Sequence, residues 1–234
     1  MKTSLLVFST WSASPFIVLA SAMSTPQSSD KMMRILCLHG KSQSGAVLSN
    51  KIAGARRKLA RVYELDFMDA PIPLEEEGQL AWWLRDEHGK HILVEDAFEY
   101  VSKAVGKQNF DAILGFSQGG ALATALAVSG TVPGVRAVLT AGAPFVQEAF
   151  DVARKRAQET IDHGLSIPKL HYAGETDAMV PVESTRKLCE EGGSGELIVH
   201  EKGHMFPTKS ASVKEMLDFL ESALASPASP ATNS

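Results

Sequence analysis

The sequence has little of what marks several classes of protein. Its 234 residues include only two cysteines, Cys37 and Cys189, and neither their number nor their spacing fits a disulfide framework or a zinc site. We therefore interpret both as unpaired core thiols. Lysine and arginine total 23 against 27 aspartates and glutamates, giving a net charge of −4, so no excess of basic residues favours a nucleic acid partner. No apolar stretch approaches the ~20 residues that span a bilayer.

The composition that is present is that of an ordinary globular protein. Hydrophobic residues make up 44% of the chain and charged residues 21%, which suits a single domain with a sizeable core. We place this domain at residues 31–224. The small, proline-rich stretch 225–234 is expected to be a disordered tail. Nothing in the composition indicates the oligomeric state.

Residues 1–30 leave two interpretations open. Lys2, two apolar stretches and the small residues Ala20-Ser21-Ala22 resemble a cleavable targeting signal, although Pro15 and several serines interrupt the apolar part. An untargeted disordered leader explains the segment equally well, and Met23, Met32 and Met33 are alternative starts. The first interpretation places the protein in the secretory pathway or an organelle, and the second in the cytoplasm.

Between these ends, short apolar stretches alternate with helical patterns. Strands bounded by helices predict a doubly wound, mostly parallel α/β sheet with helices on both faces and no large lid. The predicted strands are 34–38, 62–67, 112–116, 137–141, 169–173 and 196–199, and the predicted helices are 45–59, 97–105, 121–128, 182–190 and 210–224.

A serine lies between two glycines where the third predicted strand meets a helix. The stretch Gly115-Phe116-Ser117-Gln118-Gly119 matches the nucleophile elbow G-x-S-x-G in its usual strand-turn-helix context. The glycines at both ends relieve crowding on a sharp turn. A glycine-rich helix start with Ser117 as its N-cap is the alternative, so the partners of this serine must decide.

Candidate partners follow Ser117 in the order acid then histidine, as hydrolases of this architecture require. Asp177 lies in a loop directly after a predicted strand, and we favour it over the nearby Glu175. His204 lies in the loop after the last predicted strand, where a base is expected. The other downstream histidines have more ordinary interpretations, in the sheet, in a solvated loop or at a strand end: His171, His163 and His200.

The remaining site residues are predicted from their place beside these three. Backbone N–H groups of Lys41 and Gln118 are expected to form an oxyanion hole. Apolar residues next to the predicted catalytic ones should line a pocket at the carboxyl edge of the sheet, suited to an acyl chain of short to medium length. They are Phe116, Phe145, Val146, Met179, Val180, Met205 and Phe206.

Two motifs point elsewhere and are rejected. Gly40-Lys41-Ser42 resembles part of a nucleotide-binding P-loop, but Ile35 stands where that motif needs its first glycine. The stretch from His200 to His204 reads H-E-x-x-H, which binds zinc only on a helix. Here it follows a strand pattern and contains Gly203, so no metal site is predicted.

Taken together, the motifs resemble the FSH family of serine hydrolases, which are small α/β-hydrolases. The resemblance covers about residues 33–224, with one departure: Lys202 stands where the family usually has glycine. It is carried by Leu38-His39-Gly40 with Gln43, Asp69-Ala70-Pro71, Trp82-Trp83, Gly115–Gly120, Gly174–Asp177 with Val180-Pro181, and Gly203-His204 with Pro207.

The resemblance implies an α/β-hydrolase fold, with Ser117 as nucleophile, Asp177 as acid and His204 as base, acting without a cofactor. We expect a hydrolase of small-molecule esters or thioesters that works through an acyl-enzyme. An acyltransferase, a polyketide-releasing thioesterase or a peptidase with the same triad remains an alternative, as does a ligand-binding protein that keeps the fold without catalysis.

Overall fold

The computed structural model of the chain describes residues 32–158, 161–193 and 195–225. The predicted leader and nearly all of the predicted tail lie outside the described residues. The last helix runs to Ala225, one residue past the predicted end of the domain, which is within the usual spread of helix ends.

A parallel six-stranded sheet forms the centre of the described domain, in the order β10-β9-β8-β7-β1-β2. Its strands are β1 (Met33–Leu38), β2 (Tyr63–Met68), β7 (Ala112–Phe116), β8 (Ala137–Ala141), β9 (Lys169–Gly174) and β10 (Gly195–His200). Four two-residue strands pair as two antiparallel ribbons between β2 and β7: β3 (Ile72–Pro73) with β4 (Leu80–Ala81), and β5 (Leu84–Arg85) with β6 (His91–Ile92).

Helices cover both faces of the sheet, as predicted. The described helices are α1 (Gly45–Lys51), α2 (Ala53–Leu59), α3 (Val94–Val105), α4 (Gln118–Ser129), α5 (Gln147–Ala157), α6 (Ile161–Ser166), α7 (Val182–Glu191) and α8 (Ser210–Ala225). Alternate residues of β1 point to opposite faces. Leu36 and Leu38 join the core under α3, α4 and α5, whereas Ile35 and Cys37 join the core under α1, α2 and α8.

The predicted elements differ from the observed ones in several places, and the four short strands β3 to β6 were not predicted. The helix predicted at 45–59 is two helices, because Ile52 leaves helical geometry at φ −97° and ψ 19°. Helices α5 and α6 were not predicted. Every residue of α4 is buried, and this helix begins at Gln118, three residues before the predicted start.

Both described cysteines are free, and Cys37 is buried while Cys189 is half-buried. Burial raises the pKa of the Cys37 thiol far above its usual value, which disfavours the reactive thiolate. Within the described residues, no helix is both long enough and apolar enough to cross a membrane.

A buried lysine donates hydrogen bonds to carbonyl groups at the end of α6. The amine of Lys169, a residue only 2% exposed, donates to the carbonyl oxygens of Gly164, Leu165 and Ile167 at 3.0, 3.3 and 2.6 Å. Burial lowers the pKa of this amine to about 8, against a small opposing effect of Cys189. The three carbonyl oxygens therefore have a hydrogen-bond donor. Below about pH 8 that donor is a buried ammonium group, and keeping its charge away from water costs free energy.

This geometry predicts a rise in stability at alkaline pH. In the folded protein Lys169 loses its proton near pH 8, whereas an unfolded lysine does so near ~10.4. The unfolded state binds more protons between these values, so the free energy of unfolding should rise with pH across that window, by on the order of 3 kcal/mol. We expect Lys169→Met to lose this rise in urea titrations, and the exposed Lys107→Met control to keep it. Parallel pH profiles for wild type and Lys169→Met would contradict the assignment.

Candidate active site

Ser117 lies on the predicted elbow between β7 and α4. Its backbone has φ 51° and ψ −120°, a conformation that residues other than glycine rarely adopt. A Cβ at Gly115 would lie 2.4 Å from the carbonyl oxygen of Gly119, so the first glycine is required by close approach of the backbone. The serine precedes α4 but makes no side-chain capping hydrogen bond. Ser117 therefore occupies the N-cap position of α4 without capping it through its side chain, and its hydroxyl is left for another role.

The structure brings the three predicted catalytic side chains into one hydrogen-bonded chain. His204 Nε2 lies 3.0 Å from Ser117 Oγ, and His204 Nδ1 lies 2.6 Å from Asp177 Oδ2. The second carboxylate oxygen of Asp177 accepts the N–H groups of Met179 and Val180 at 2.8 and 2.9 Å. Because a carboxylate only accepts, Nδ1 of His204 carries the proton and Nε2 faces the serine hydroxyl as acceptor.

The residues that were rejected as the acid or the base make other contacts. Glu175 is exposed and its N–H donates to the carbonyl of His200. His171 is buried in the sheet, 2.8 Å from Thr140 Oγ1, and His163 lies exposed on α6, where a loop was predicted. His200 ends β10, and its Nδ1 accepts the N–H of Lys202 at 3.2 Å.

The H-E-x-x-H stretch is therefore a strand end followed by a turn and is not helical. Across the described ranges there is no group of three or more histidine, cysteine, aspartate or glutamate side chains placed to hold a metal ion. Lys202, the departure from the family pattern, has an exposed side chain, and its backbone oxygen would lie 2.3 Å from a Cβ on Gly174. This contact joins the histidine loop to the end of β9.

Gly142 is a site residue that the sequence analysis missed. It follows β8 directly, has φ +57°, and its N–H donates to the carbonyl of Tyr172 at 2.8 Å. A Cβ there would lie 2.9 and 3.0 Å from Cε1 and Nδ1 of His204. The imidazole of His204 therefore occupies space that a side chain at position 142 would need. A glycine directly after a strand, at the carboxyl edge of the sheet, was the only available signal in the sequence.

His39 is a second missed residue, and it is fully buried beside the elbow. Its Nε2 accepts the N–H of Ala70 at 3.0 Å, so its Nδ1 carries the proton and donates to the carbonyl of Gly40 at 2.7 Å. Burial lowers the pKa of His39 below its usual value, outweighing the hydrogen bond to Gly40 and the charge of Asp69. His39 is therefore a neutral imidazole of a single tautomer.

This histidine fixes the direction of one predicted oxyanion donor. The carbonyl of Gly40 and the N–H of Lys41 belong to the same planar trans peptide and point in opposite directions. Because His39 holds the carbonyl, the N–H of Lys41 points the other way, and in the described part of the chain no hydrogen bond involves Lys41. Gly40 itself is close to the elbow, since a Cβ there would lie 3.2 Å from Ser117 Cβ.

The other predicted oxyanion donor, Gln118, is held by its side chain. Its Oε1 accepts the N–H of Trp82 at 3.0 Å, and its Nε2 donates to the carbonyl of Trp83 at 2.9 Å. The indole of Trp82 donates in turn to the carbonyl of His39 at 2.8 Å. The paired tryptophans therefore tie the two halves of the predicted oxyanion hole together.

Three of the seven predicted substrate residues line one cavity beside His204. Phe116, Met205 and Phe206 form part of the wall of a cavity of about 230 Å³. The ring of Phe116 lies 5.0 Å from that of His204, centroid to centroid. The remaining lining residues are Leu48, Lys51, Ile52, His204 and Thr208.

The other four predicted substrate residues do not line this cavity. Val146 is buried in the core, and Phe145 packs on that core with its ring 5.2 Å from Phe150. Val180 is buried and its N–H serves Asp177, while Met179 is 75% exposed. Adjacency in sequence placed these residues near the site, but their side chains point into the core or into solvent.

The contact between Gly142 and His204 gives a direct test. Gly142→Ala should displace the imidazole from its place between Asp177 and Ser117. A misplacement of about 1 Å in an active site costs about 10²-fold in kcat. Gly89→Ala is the matched control, because Gly89 has φ +78° with nothing within 4 Å of its Cβ position. The control carries similar backbone strain without the clash. Equal ester hydrolysis by the two variants, each shown folded by circular dichroism, would contradict the role given to Gly142.

Comparison with known proteins places this geometry in a family. The chain is 29% identical over 219 residues to the esterase OVCA2 of Bos taurus, covering 81% of this chain and 96% of the relative. Its fold matches Arabidopsis thaliana SOBER1 with a TM-score of 0.62 at 19% identity, over 83% of this chain and 100% of that structure. A Bacillus cereus carboxylesterase matches with a TM-score of 0.59 at 12% identity, over 82% and 89%.

These structural matches show the α/β-hydrolase fold. The family model described as serine hydrolase (FSH1) matches residues 27–216, which is most of the chain and includes Ser117, Asp177 and His204. The chain belongs to the FSH1 family of serine hydrolases.

Proposed function

We propose that the protein hydrolyses carboxylic esters or thioesters by means of Ser117, His204 and Asp177. The observation that carries this proposal is the chain of hydrogen bonds from Ser117 Oγ to His204 Nε2 and from His204 Nδ1 to Asp177, at 3.0 and 2.6 Å. A serine hydroxyl is a weak nucleophile, and an oriented imidazole is the group that activates it. Membership of a serine hydrolase family supports the same chemistry.

In the first half-reaction, Ser117 Oγ attacks the carbonyl carbon and its proton passes to Nε2 of His204. Asp177, whose carboxylate is fully buried, stabilises the imidazolium across the 2.6 Å contact. The N–H groups of Lys41 and Gln118 stabilise the oxyanion. Collapse of the tetrahedral intermediate breaks the bond to the leaving oxygen or sulfur, which takes the proton from His204, and an acyl-enzyme forms.

In the second half-reaction, water replaces the leaving group. His204 takes a proton from the water, whose oxygen attacks the acyl carbon. The carboxylic acid then departs as Ser117 regains its proton. Water is the only co-reactant in this cycle, so the proposed chemistry balances without a cofactor.

The cavity beside His204 supports a preference for short to medium acyl chains. Its walls are mainly apolar, and its volume of about 230 Å³ is below the ~300–1,000 Å³ typical of sites for drug-sized ligands. Each methylene that it buries contributes about 0.8 kcal/mol. Selectivity should therefore rise with chain length until the cavity is full, and then stop rising.

The nucleophile is tested by Ser117→Ala. Loss of a triad member should reduce turnover of a p-nitrophenyl ester by on the order of 10⁴-fold or more, and should abolish covalent labelling by a fluorophosphonate. Ser102→Ala, which removes an exposed hydroxyl on α3, is the matched control and should behave as wild type. Wild-type turnover by folded Ser117→Ala would contradict the assignment.

The same reagents separate the alternatives. A wild-type protein that neither hydrolyses esters nor takes up the fluorophosphonate would be a ligand-binding member of the fold. Transfer of the acyl group to an added alcohol in preference to water would identify an acyltransferase. Cleavage of peptides in preference to esters would identify a peptidase.

The acyl preference is tested with p-nitrophenyl esters from acetate to palmitate. We expect kcat/KM to increase through the short chains, reach a maximum at medium length and fall for palmitate, because the cavity admits only a limited number of methylenes. Replacing Ile52 by Trp should narrow the cavity and move the maximum to a shorter ester. A flat profile, or a maximum at palmitate, would contradict the preference even if the triad is correct.

A further inference from the structure

The cavity beside His204 has one lysine among its lining residues, which are otherwise apolar apart from His204 and Thr208. Lys51 is the last residue of α1 and lines the cavity together with Leu48 and Ile52. Positions three and four apart lie on the same face of a helix, so Lys51 belongs to the same wall as Leu48. Lys51 is exposed, and a lysine on such a wall packs its apolar stem along the wall while its amine stays in water.

Lys51 has no anionic partner in the described ranges. No carboxylate of residues 32–158, 161–193 or 195–225 lies within 4.0 Å of its amine, and no hydrogen bond of its side chain occurs there. Other lysines around the same helices differ: Lys58 donates to Ser210 Oγ at 3.0 Å and Lys209 pairs with Glu201 at 3.1 Å. None of the residues that line the cavity is acidic.

The cavity therefore combines apolar walls, a catalytic imidazole and a single unpaired cation. An apolar acyl group alone would leave this amine to water and gain nothing from it. A carboxylate at the far end of the acyl chain would gain a charge-assisted hydrogen bond at the mouth, while the methylenes between it and the ester would fill the apolar part.

We propose that Lys51 makes the site selective for acyl groups that end in a carboxylate, that is, for half-esters or half-thioesters of dicarboxylic acids. This inference rests on the proposed function, since it names the acyl group that the same site takes. It also limits the chain length, because the carboxylate must reach the mouth while the ester carbonyl lies at Ser117.

The test compares matched esters of 4-methylumbelliferone. The anionic substrate is the monoester of adipic acid, and the neutral one is the hexanoate, which has the same number of acyl carbons. The measured quantity is the ratio of their kcat/KM values, each corrected for spontaneous hydrolysis. Lys51→Met keeps the apolar stem without the charge, and Lys51→Glu reverses the charge.

We expect the ratio of adipate to hexanoate to fall about five- to tenfold in Lys51→Met and further in Lys51→Glu, as one charge-assisted contact is lost. The wild-type ratio should also fall as salt is raised, because salt screens the exposed amine. Lys107→Glu changes the net charge equally, at an exposed position that does not line the cavity, and should keep the wild-type ratio.

The outcomes distinguish this inference from the function on which it rests. If wild type hydrolyses the hexanoate but the ratio is the same in Lys51→Glu, the inference is wrong and the proposed esterase stands. A ratio that falls equally in Lys107→Glu also overturns it, because net charge would then be the cause. No hydrolysis of either ester by folded wild type would overturn both proposals.

Discussion

The rest of the site depends on the strained backbone of Ser117. A serine at φ 51° and ψ −120° costs about 1–3 kcal/mol and persists only where its surroundings leave no alternative. Here the N–H of Ser117 donates to the carbonyl of Ala141 in β8, and its own carbonyl accepts from Gly120 and Ala121 in α4. Strand and helix are both buried, so relaxing the turn would mean moving the core. This conformation directs Oγ toward the imidazole of His204, whose Nε2 lies 3.0 Å away.

Hydrogen bonds around His39 connect the separate sequence motifs to this turn. Ala70 supplies the N–H that fixes its tautomer, Trp82 donates to its carbonyl, and the Trp82-Trp83 pair holds Gln118. Had His39 gained a proton, both ring nitrogens would be donors and the Ala70 N–H would lose its acceptor. Burial prevents this by lowering the pKa of His39. The hydrogen bond from Ala70, which holds the ring of His39 beside Gly40, therefore requires an imidazole that stays neutral.

The sequence predicted correctly those features that depend on a local pattern of residues. Strands β7 and β8 begin and end where predicted, because each is a short apolar stretch buried on both sides, and the glycines around Ser117 follow from the turn itself. Helix α5 was missed because three of its four buried residues are alanine, which gives a weak apolar period. The roles of His39 and Gly142 depend on partners 31 and 62 positions away, Ala70 and His204, which no local pattern encodes.

The three side chains of the hydrogen-bonded chain come from the ends of three different strands. Ser117 directly follows the central strand β7, whereas Asp177 and His204 lie in loops after β9 and β10, at one side of the sheet. The loop that carries His204 also supplies Met205 and Phe206 to the cavity wall. In the proposed reaction, an acyl chain that fills the cavity would contact the segment that carries His204. Under that proposal, contacts that improve the position of His204 act in the transition state, so a better fit is expected to raise kcat as well as to lower KM.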